Sequence, residues 1–420
     1  MAKGEAERAG ARAEGLGEIL FIAHRVPYPP DRGDKIRSYH ELRHLARLAP
    51  VHLAALADDP RDLHHGEALS ALTASHCVRP RTLSRPRAAV EGLLRREPMS
   101  VALFRDRGLR GYVERIVATR PLAAVFVYSG NMAPYVPTAL DADTRFVMDL
   151  CDVDSAKFAA YGAAGGGVMG WINRREGRLL GALEVAVAKR ADAALFISRA
   201  EADVFATLDG ADGSGVSVVG NGVDLDAFDP AQPRAVPAAL AAVQGPRIVF
   251  TGQMDYRPNI EAVTDFAAHA LPIVRQRHPD AQFVIVGRNP ADAVRALADS
   301  PGVMVTGEVD DTRAWLAAAD VVVAPLRLAR GVQNKVLEAM AMARPMVVST
   351  AAAEGIDAEH GRDFLIAADA EEEGRLVADL LSNPARAAAL GQAGRARVEA
   401  RYSWDAALAP LTGLVFGDGG

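Results

Sequence analysis

Cysteine, lysine and long apolar runs are all scarce in this chain, and each shortage closes off a class of protein. The only two cysteines, Cys77 and Cys151, stand 74 residues apart. That spacing gives neither a zinc site nor a disulfide framework, and it fits a reducing, cytosolic compartment. Apolar runs such as 123–128 are strand-sized, far short of the roughly 20 residues of a membrane span. Positive charge is not in excess: 47 basic against 53 acidic side chains leave a net charge of −6, so no global field points to nucleic acid. Residues 1–17 mix three acids with three bases and lack an apolar stretch; they read as a loose tail rather than a leader peptide. No Ser-His-Asp spacing, C-x-x-C, Walker loop or H-E-x-x-H helix occurs, and the ten histidines are scattered. Neither a metal nor a bound cofactor is expected.

What remains is a globular composition, 50% hydrophobic and 24% charged over 420 residues, enough for two cores. Short apolar segments alternate with helical patterns. Strands are expected at 19–23, 51–56, 124–128, 146–150, 193–197 and 216–219, then at 247–251, 282–286, 303–306, 321–325, 346–349 and 364–366. Helices are expected at 36–49, 110–118, 172–190, 199–208, 259–277, 310–319, 333–342, 370–382 and 385–401. Such alternation means parallel sheets covered by helices. Two sets of about six strands predict an α/β protein of two Rossmann-like, doubly wound domains. The Gly, Asn and Pro cluster over 220–246 marks the boundary. The expected limits are a tail over 1–17, a first domain over 18–222, a linker over 223–246, a second domain over 247–402 and a closing helix and tail over 403–420. The glycine-rich 162–170 segment reads as a flexible loop.

Ligands of open parallel sheets bind beyond the carboxyl ends of the strands, so the loops after each strand hold the candidates. The loop after the first strand carries His24, Gly33, Asp34, Lys35 and Arg37. It is not a G-x-G-x-x-G turn, which argues against nicotinamide or flavin. Two cations in a first helical turn are unfavourable unless an anion sits there; a solvated first turn is the plainer reading, and for His24 a structural histidine. Asp152 and Asp154 form a D-x-D followed by Lys157, which suits either a metal-diphosphate site or a cap and turn. After 247–251 come Gly252, Arg257 and Asn259: close backbone approach, a cation for an anion, and a helix cap. After 321–325 come Arg330, Gly331, Asn334, Lys335 and Glu338. There a helix start and Lys335 can hold phosphates while Glu338, one turn deeper, can accept two ribose hydroxyls. An ordinary i,i+3 ion pair is the alternative. Only five of the 47 basic residues are lysine, so a retained lysine hints that a compact ammonium is wanted. The 79–120 segment holds eleven arginines against four acids; it is a solvated basic face or a surface that meets anionic lipid head groups.

Three passages carry a family resemblance. Asn221-Gly222-Val223-Asp224 with Phe228 and Pro230 resembles an NGVD…F.P interdomain crossover. Val336-Leu337-Glu338-Ala339-Met340-Ala341 with Pro345-Met346-Val347-Val348 resembles a donor helix and strand. Arg401-Tyr402-Ser403-Trp404 resembles a C-terminal YSW segment. Together they resemble retaining glycosyltransferase family 4, of the GT-B fold, with two Rossmann-like domains facing across a cleft. The strings HRVPYPPDRGDKIRS, DLCDVDSAKF, TGQMDYRPN and RGVQNKVLEAMAMARP are similar to sugar transferases associated with PEP-CTERM/exosortase systems.

The resemblance implies a hexosyltransferase in exopolysaccharide biosynthesis, cytoplasmic or peripheral on the inner face of the plasma membrane. It implies a nucleoside-diphosphate sugar as donor, a glycan or polyprenyl-phosphate-linked sugar as acceptor, and no metal requirement. Donor-side residues would be Gly252, Arg257, Asn259, Arg330, Gly331, Asn334, Lys335 and Glu338, with His24, Lys335 and Glu338 at the chemistry. The acceptor side would hold Gly33, Asp34, Lys35, Arg37, Asp152, Asp154 and Lys157. One departure stands out: the first glutamate of the family's E-x7-E is Arg330 here, and only Glu338 is kept. A GT-B nucleotide-sugar epimerase and a non-catalytic nucleotide-sugar-binding partner of a synthesis complex are the alternatives.

Overall fold

The computed structural model describes residues 17–417 apart from 31, 242, 330 and 331. The expected tail up to residue 16 and the candidates Arg330 and Gly331 therefore lie outside the described residues, as do 418–420. The chain divides into two compact units. One runs to Gly220 and takes in the residues from Leu408 onward; the other is Asn221–Ala407. The 223–246 stretch thus belongs to the second unit.

The first unit is built on a seven-stranded sheet: β1 (Glu18–Ala23), β2 (Val51–Ala57), β3 (Ser75–Pro80), β4 (Leu122–Tyr128), β5 (Arg145–Cys151), β6 (Ala193–Phe196) and β7 (Val216–Val218). The second has six: β8 (Arg247–Thr251), β9 (Gln282–Val286), β10 (Val303–Gly307), β11 (Val321–Ala324), β12 (Met346–Ser349) and β13 (Leu365–Ala367). The spatial orders are β3-β2-β1-β4-β5-β6-β7 and β10-β9-β8-β11-β12-β13, and every pairing is parallel. Both are doubly wound Rossmann-like sheets. The central strands are near-continuous apolar runs because helices cover both faces: β2 is buried at every position, and Phe21 of β1 stacks on Phe126 of β4 at 5.1 Å.

Both orders reverse direction once, between β1 and β4 and between β8 and β11. There the connections leave to opposite sides of the sheet and open a crevice at the carboxyl ends. The register sets Ala23 beside Tyr128 and Val322 beside Val249. The loops after β1 and β4, and those after β8 and β11, therefore converge.

Three local expectations change. β3 was not expected; it is an edge strand, SHCVRP, half-buried at best, with no apolar run to announce it. The 162–170 segment is not a loop: only Gly165 and Gly166 interrupt the helices Asp154–Ala164 and Gly167–Arg190. The helix expected over 259–277 is divided by a π turn at Phe266–Ala270, closed by a bond from Leu271 N to Phe266 O. Pro272, at the start of Leu271–Arg277, has no N–H for the regular ladder, and the turn widens around it.

Two of the sequence passages meet within the second unit. Val223 N donates to Tyr402 O at 2.7 Å, and a Cβ on Gly222 would lie 2.5 Å from Trp404 Cα, so only glycine fits there. In the first unit, the helix Pro410–Phe416 seals the sheet with Leu411 and Val415, both fully buried, and Arg145 Nε donates to Leu414 O at 2.9 Å.

Candidate functional site

In the second unit the strand reversal gathers the residues expected to bind a donor. Gly252 follows β8, and the helix Asn334–Ala341 follows β11. Lys335 Nζ donates to Asn259 Oδ1 at 2.6 Å, and Asn259 Nδ2 donates to Gln253 O at 2.8 Å. The ammonium also lies over the Phe250 ring, 4.2 Å from its centroid, a cation–π contact. A Cβ on Gly252 would sit 2.8 Å from Asn259 Nδ2 and 3.1 Å from Lys335 Nζ, so the absent side chain lets these three residues pack together. Burial pushes the Lys335 pKa down to about 7, against the upward pull of Glu338. Burial likewise raises the Glu338 carboxyl, against the pull of Lys335. Each member of the pair is thus biased toward its neutral form by burial, and groups perturbed in this way cluster at functional sites. Among the described residues no hydrogen bond to the Glu338 carboxylate is found.

The other second-unit candidates stand apart. Arg257 is exposed and its Nε donates to Glu261 at 2.7 Å. Asn334 is exposed at the first turn of its helix. Sequence reasoning missed Phe250, the last-but-one residue of β8, and Arg288, which follows β9; with the Gln253 amide turned so that its oxygen faces the guanidinium, Arg288 Nε donates to it at 2.9 Å. The rule that selected Gly252 also selects Gly287-Arg288. A cavity of about 760 Å³ lies at the opposite end of this sheet, beside Arg247, Asp320 and Pro345 where strands begin. Ligands of such sheets bind at the other end, and none of the candidates lines it.

In the first unit His24 follows β1. It is buried, stacked on Tyr128 at 5.6 Å and edge-on to Phe104 at 5.6 Å. Burial lowers its pKa, with Asp34 pulling the other way, which favours the neutral imidazole. Nε2 lies 3.3 Å from Asp34, and Nδ1 has no hydrogen-bond partner. Arg25 bridges Asp34 and Asp58, and Arg81 also binds Asp58 at 2.5 Å. Although burial opposes it, the hydrogen bond with His24 and the Arg25 charge hold Asp34 well below the usual carboxylate range. Ser129 and Cys151, at the ends of β4 and β5, both have left-handed backbones, φ 78° and 63°; such strained non-glycine residues cluster at functional sites. Arg25, Asp58 and Arg81 were missed by sequence reasoning, because they come from separate strand ends.

Lys35 and Arg37 turn inward. Lys35 pairs with Asp62 at 2.9 Å, both buried. Arg37 pairs with Asp149 at 2.8 Å and Glu41 at 2.9 Å, and donates to Gly220 O at 3.2 Å. Gly33 opens their helix, with space where a Cβ would stand. Asp152 and Asp154 share Lys157, at 3.9 and 3.0 Å, on an exposed turn. Among the described residues no group of three or more His, Cys, Asp or Glu side chains gathers to hold a metal.

Two parallel, doubly wound Rossmann-like sheets, of seven and six strands, are the architecture of the GT-B fold. Comparison with known proteins agrees. Residues 245–383 match the family Glycosyl transferases group 1. The chain is 30% identical over 211 residues to a GDP-mannose-dependent monoacylated alpha-(1-6)-phosphatidylinositol monomannoside mannosyltransferase of Corynebacterium glutamicum, covering 46% of this chain and 54% of that protein. It is 32% identical over 215 residues to a GDP-mannose-dependent alpha-(1-6)-phosphatidylinositol monomannoside mannosyltransferase of Mycobacterium tuberculosis, covering 47% and 54%. The match spans about half the length of these curated relatives. Among solved structures, Anabaena Alr3699/HepE in complex with UDP superposes with a TM-score of 0.62 at 14% identity, covering 94% of this chain and 98% of that one. The chain therefore has the GT-B fold, and its residues 245–383 are similar to the family Glycosyl transferases group 1.

Proposed function

We propose that the protein is a retaining glycosyltransferase that moves a sugar from a nucleoside-diphosphate sugar to a glycan or lipid-linked acceptor, in the assembly of an exopolysaccharide. The observation that carries this reading is the Gly252–Asn259–Lys335–Glu338 constellation at the strand reversal of the group 1 domain. Glu338 accepts the ribose hydroxyls. Lys335 and the amides that open its helix stabilise the charge that grows on the departing diphosphate, which is the main electrostatic task of the reaction. Arg288 and Arg257 stand at neighbouring strand ends. The acceptor lies at the carboxyl end of the first unit's sheet, where His24 and Asp34 meet. The reading names no protein nucleophile: the donor phosphate takes the acceptor proton on the face the leaving group vacates.

GDP-mannose and UDP-glucose are the donors to try first, because the curated relatives are GDP-mannose-dependent and the structural neighbour was solved with UDP. Glu338→Ala and Lys335→Ala should each lose most donor turnover while keeping the wild-type melting temperature. Near-normal turnover in both variants would overturn the site. Arg330 in place of a glutamate motivates a second reading, a non-catalytic nucleotide-sugar-binding subunit; nucleotide binding without transfer to any acceptor would select it.

A further inference from the structure

Exposed apolar side chains are concentrated in one region of the first unit. The helix Arg85–Arg95 presents Val90, Leu93 and Leu94 to solvent, 46–80% exposed. Its inward face is formed instead by the small residues Ala88 and Gly92, both buried. At 3.6 residues per turn, Ala88 and Gly92 share one side, and Val90 and Leu94 lie on the other. This is the reverse of an ordinary amphipathic helix, which turns its large apolar residues inward.

A second element supplies the same chemistry. The helices Asp154–Ala164 and Gly167–Arg190 form an antiparallel hairpin, and its tip exposes Tyr161, Val168, Met169 and Trp171, 52–74% accessible. Glycines allow this close packing: a Cβ on Gly170 would lie 2.2 Å from Gly165 O. Ser155 binds Glu184, while Arg190 lies over Phe146 at the start of β5. The 168–183 stretch therefore runs on past the carboxyl end of the sheet, for roughly 24 Å at helical rise.

The two elements form one surface. Arg175 Nη2 donates to Gly92 O at 2.8 Å and Glu97 O at 3.2 Å. Val168, Trp171 and Arg175 are spaced i, i+3, i+7 and so share one helix face, which leads from the tip to the 85–95 helix. The surround is cationic. Arg87, Arg95 and Arg96 are exposed and make no ion pair among the described residues. The nearby acids are already engaged: Glu91 and Glu97 bind Arg105, and Glu176 binds Met99 N and Ser100 N.

We infer that this surface docks on an anionic phospholipid bilayer, with Val90, Leu94, Val168 and Trp171 entering the head-group boundary and the free arginines meeting lipid phosphates. Apolar and aromatic side chains ringed by unpaired arginine match the chemistry of such an interface. A second copy of the chain fits less well, since a two-fold contact sets the same arginines against each other. No helix among the described residues is long and apolar enough to cross a membrane, so the contact is peripheral. The inference stands apart from the proposed activity, because vesicle binding tests it without donor or acceptor. Taken with that activity, it places a lipid-linked acceptor at the end of the sheet where His24 lies.

The test is co-sedimentation of the full chain with phosphatidylcholine vesicles, with and without phosphatidylglycerol. Tryptophan emission gives a second readout: Trp315 and Trp404 are each only 7% exposed and Trp171 is 52% exposed, so a blue shift reports Trp171 leaving water, and Trp171→Phe should abolish it. Binding is expected only with phosphatidylglycerol and should weaken with salt. Arg87→Gln/Arg95→Gln/Arg96→Gln should lower partitioning on the order of 100-fold, about fivefold per arginine. Leu94→Ser/Trp171→Ser should lower it at least roughly tenfold by removing apolar burial. All these positions are exposed, so thermal melts should match wild type. Failure to sediment with anionic vesicles, or binding untouched by either set of substitutions, would overturn the inference. So would a dimer in light scattering that these substitutions dissolve without any vesicle binding.

Discussion

Raising the pH from 7 to 9 should weaken binding of the nucleotide-sugar donor, and Lys335 is the reason. Its pKa has fallen from 10.5 to about 7 because the ammonium has left water for a site between the Phe250 ring and Asn259. A bound diphosphate restores the charged form, so the complex has the higher pKa. Below pH 7 the lysine is protonated before and after binding, and affinity is at its full value. Above pH 7 the free protein has lost the proton and must take one up to bind. Affinity then falls by up to about tenfold per pH unit, 1.36 kcal/mol each, or on the order of 100-fold between pH 7 and 9 when the complex titrates well above 9. A nucleotide sugar is the right probe, since its diphosphate diester has no proton to exchange in this range. Isothermal titration calorimetry at each pH, in two buffers of different protonation enthalpy, measures both the Kd and the proton taken up. Lys335→Arg keeps its charge and should bind with a flat profile. Equal Kd at pH 7 and 9 without proton uptake would refute the reasoning.

Other consequences are more local. Gly252→Ala forces a methyl group against Asn259 and Lys335; it should lower nucleotide affinity at least roughly tenfold, at a stability cost of about 1–3 kcal/mol in urea unfolding. Asp149→Asn removes the 2.8 Å partner of the fully buried Arg37 and should cost about 3–5 kcal/mol; a loss under about 1 kcal/mol would mean that Glu41 carries the pair. Glu373 is 2% exposed with Oε1 unpartnered, and burial, opposed by Arg327, raises its carboxyl from 4.5 to about 8. The folded state holds that proton more tightly than the unfolded chain, so this contribution to stability is full below pH 4.5 and is lost as pH rises to 8. Glu373→Gln should flatten the decline in urea midpoint across that window, and an unchanged slope would contradict the assignment.

Much of the architecture is legible in residue order, because parallel strands buried on both faces must be apolar throughout. β8, β9 and β12 coincide with the segments that composition alone selects. β3 escapes because an edge strand needs only one covered flank and tolerates His, Arg and Pro. Of the hairpin, 172–190 is legible as a helix, but the Asp154–Ala164 helix and the tip escape because they pack through glycine and alanine, the composition of a loop. At the proposed donor side, Gly252, Asn259, Lys335 and Glu338 could be named because each follows a strand at the sheet's reversal. The neutral-leaning ionisation of Lys335 and Glu338 could not, since it depends on how deeply the fold buries the two side chains. At the proposed acceptor side, charge counting suggests an anion near Lys35 and Arg37, but it does not reveal that Asp62 and Asp149 already supply the countercharge from distant positions. Arg87, Arg95 and Arg96, which make no ion pair among the described residues, gain meaning only beside the exposed tip at Trp171.

The central claim is that the helix bearing Lys335 and Glu338 holds a nucleoside diphosphate. A thermal-shift series with UDP, GDP, ADP, dTDP and their common sugars tests it most directly, since a ligand of the folded state raises the melting temperature by mass action. The account predicts a shift with one nucleotide family, greatly reduced in Glu338→Ala and Lys335→Ala. A shift of equal size in both variants, or none with any nucleotide in the wild-type protein, would contradict it.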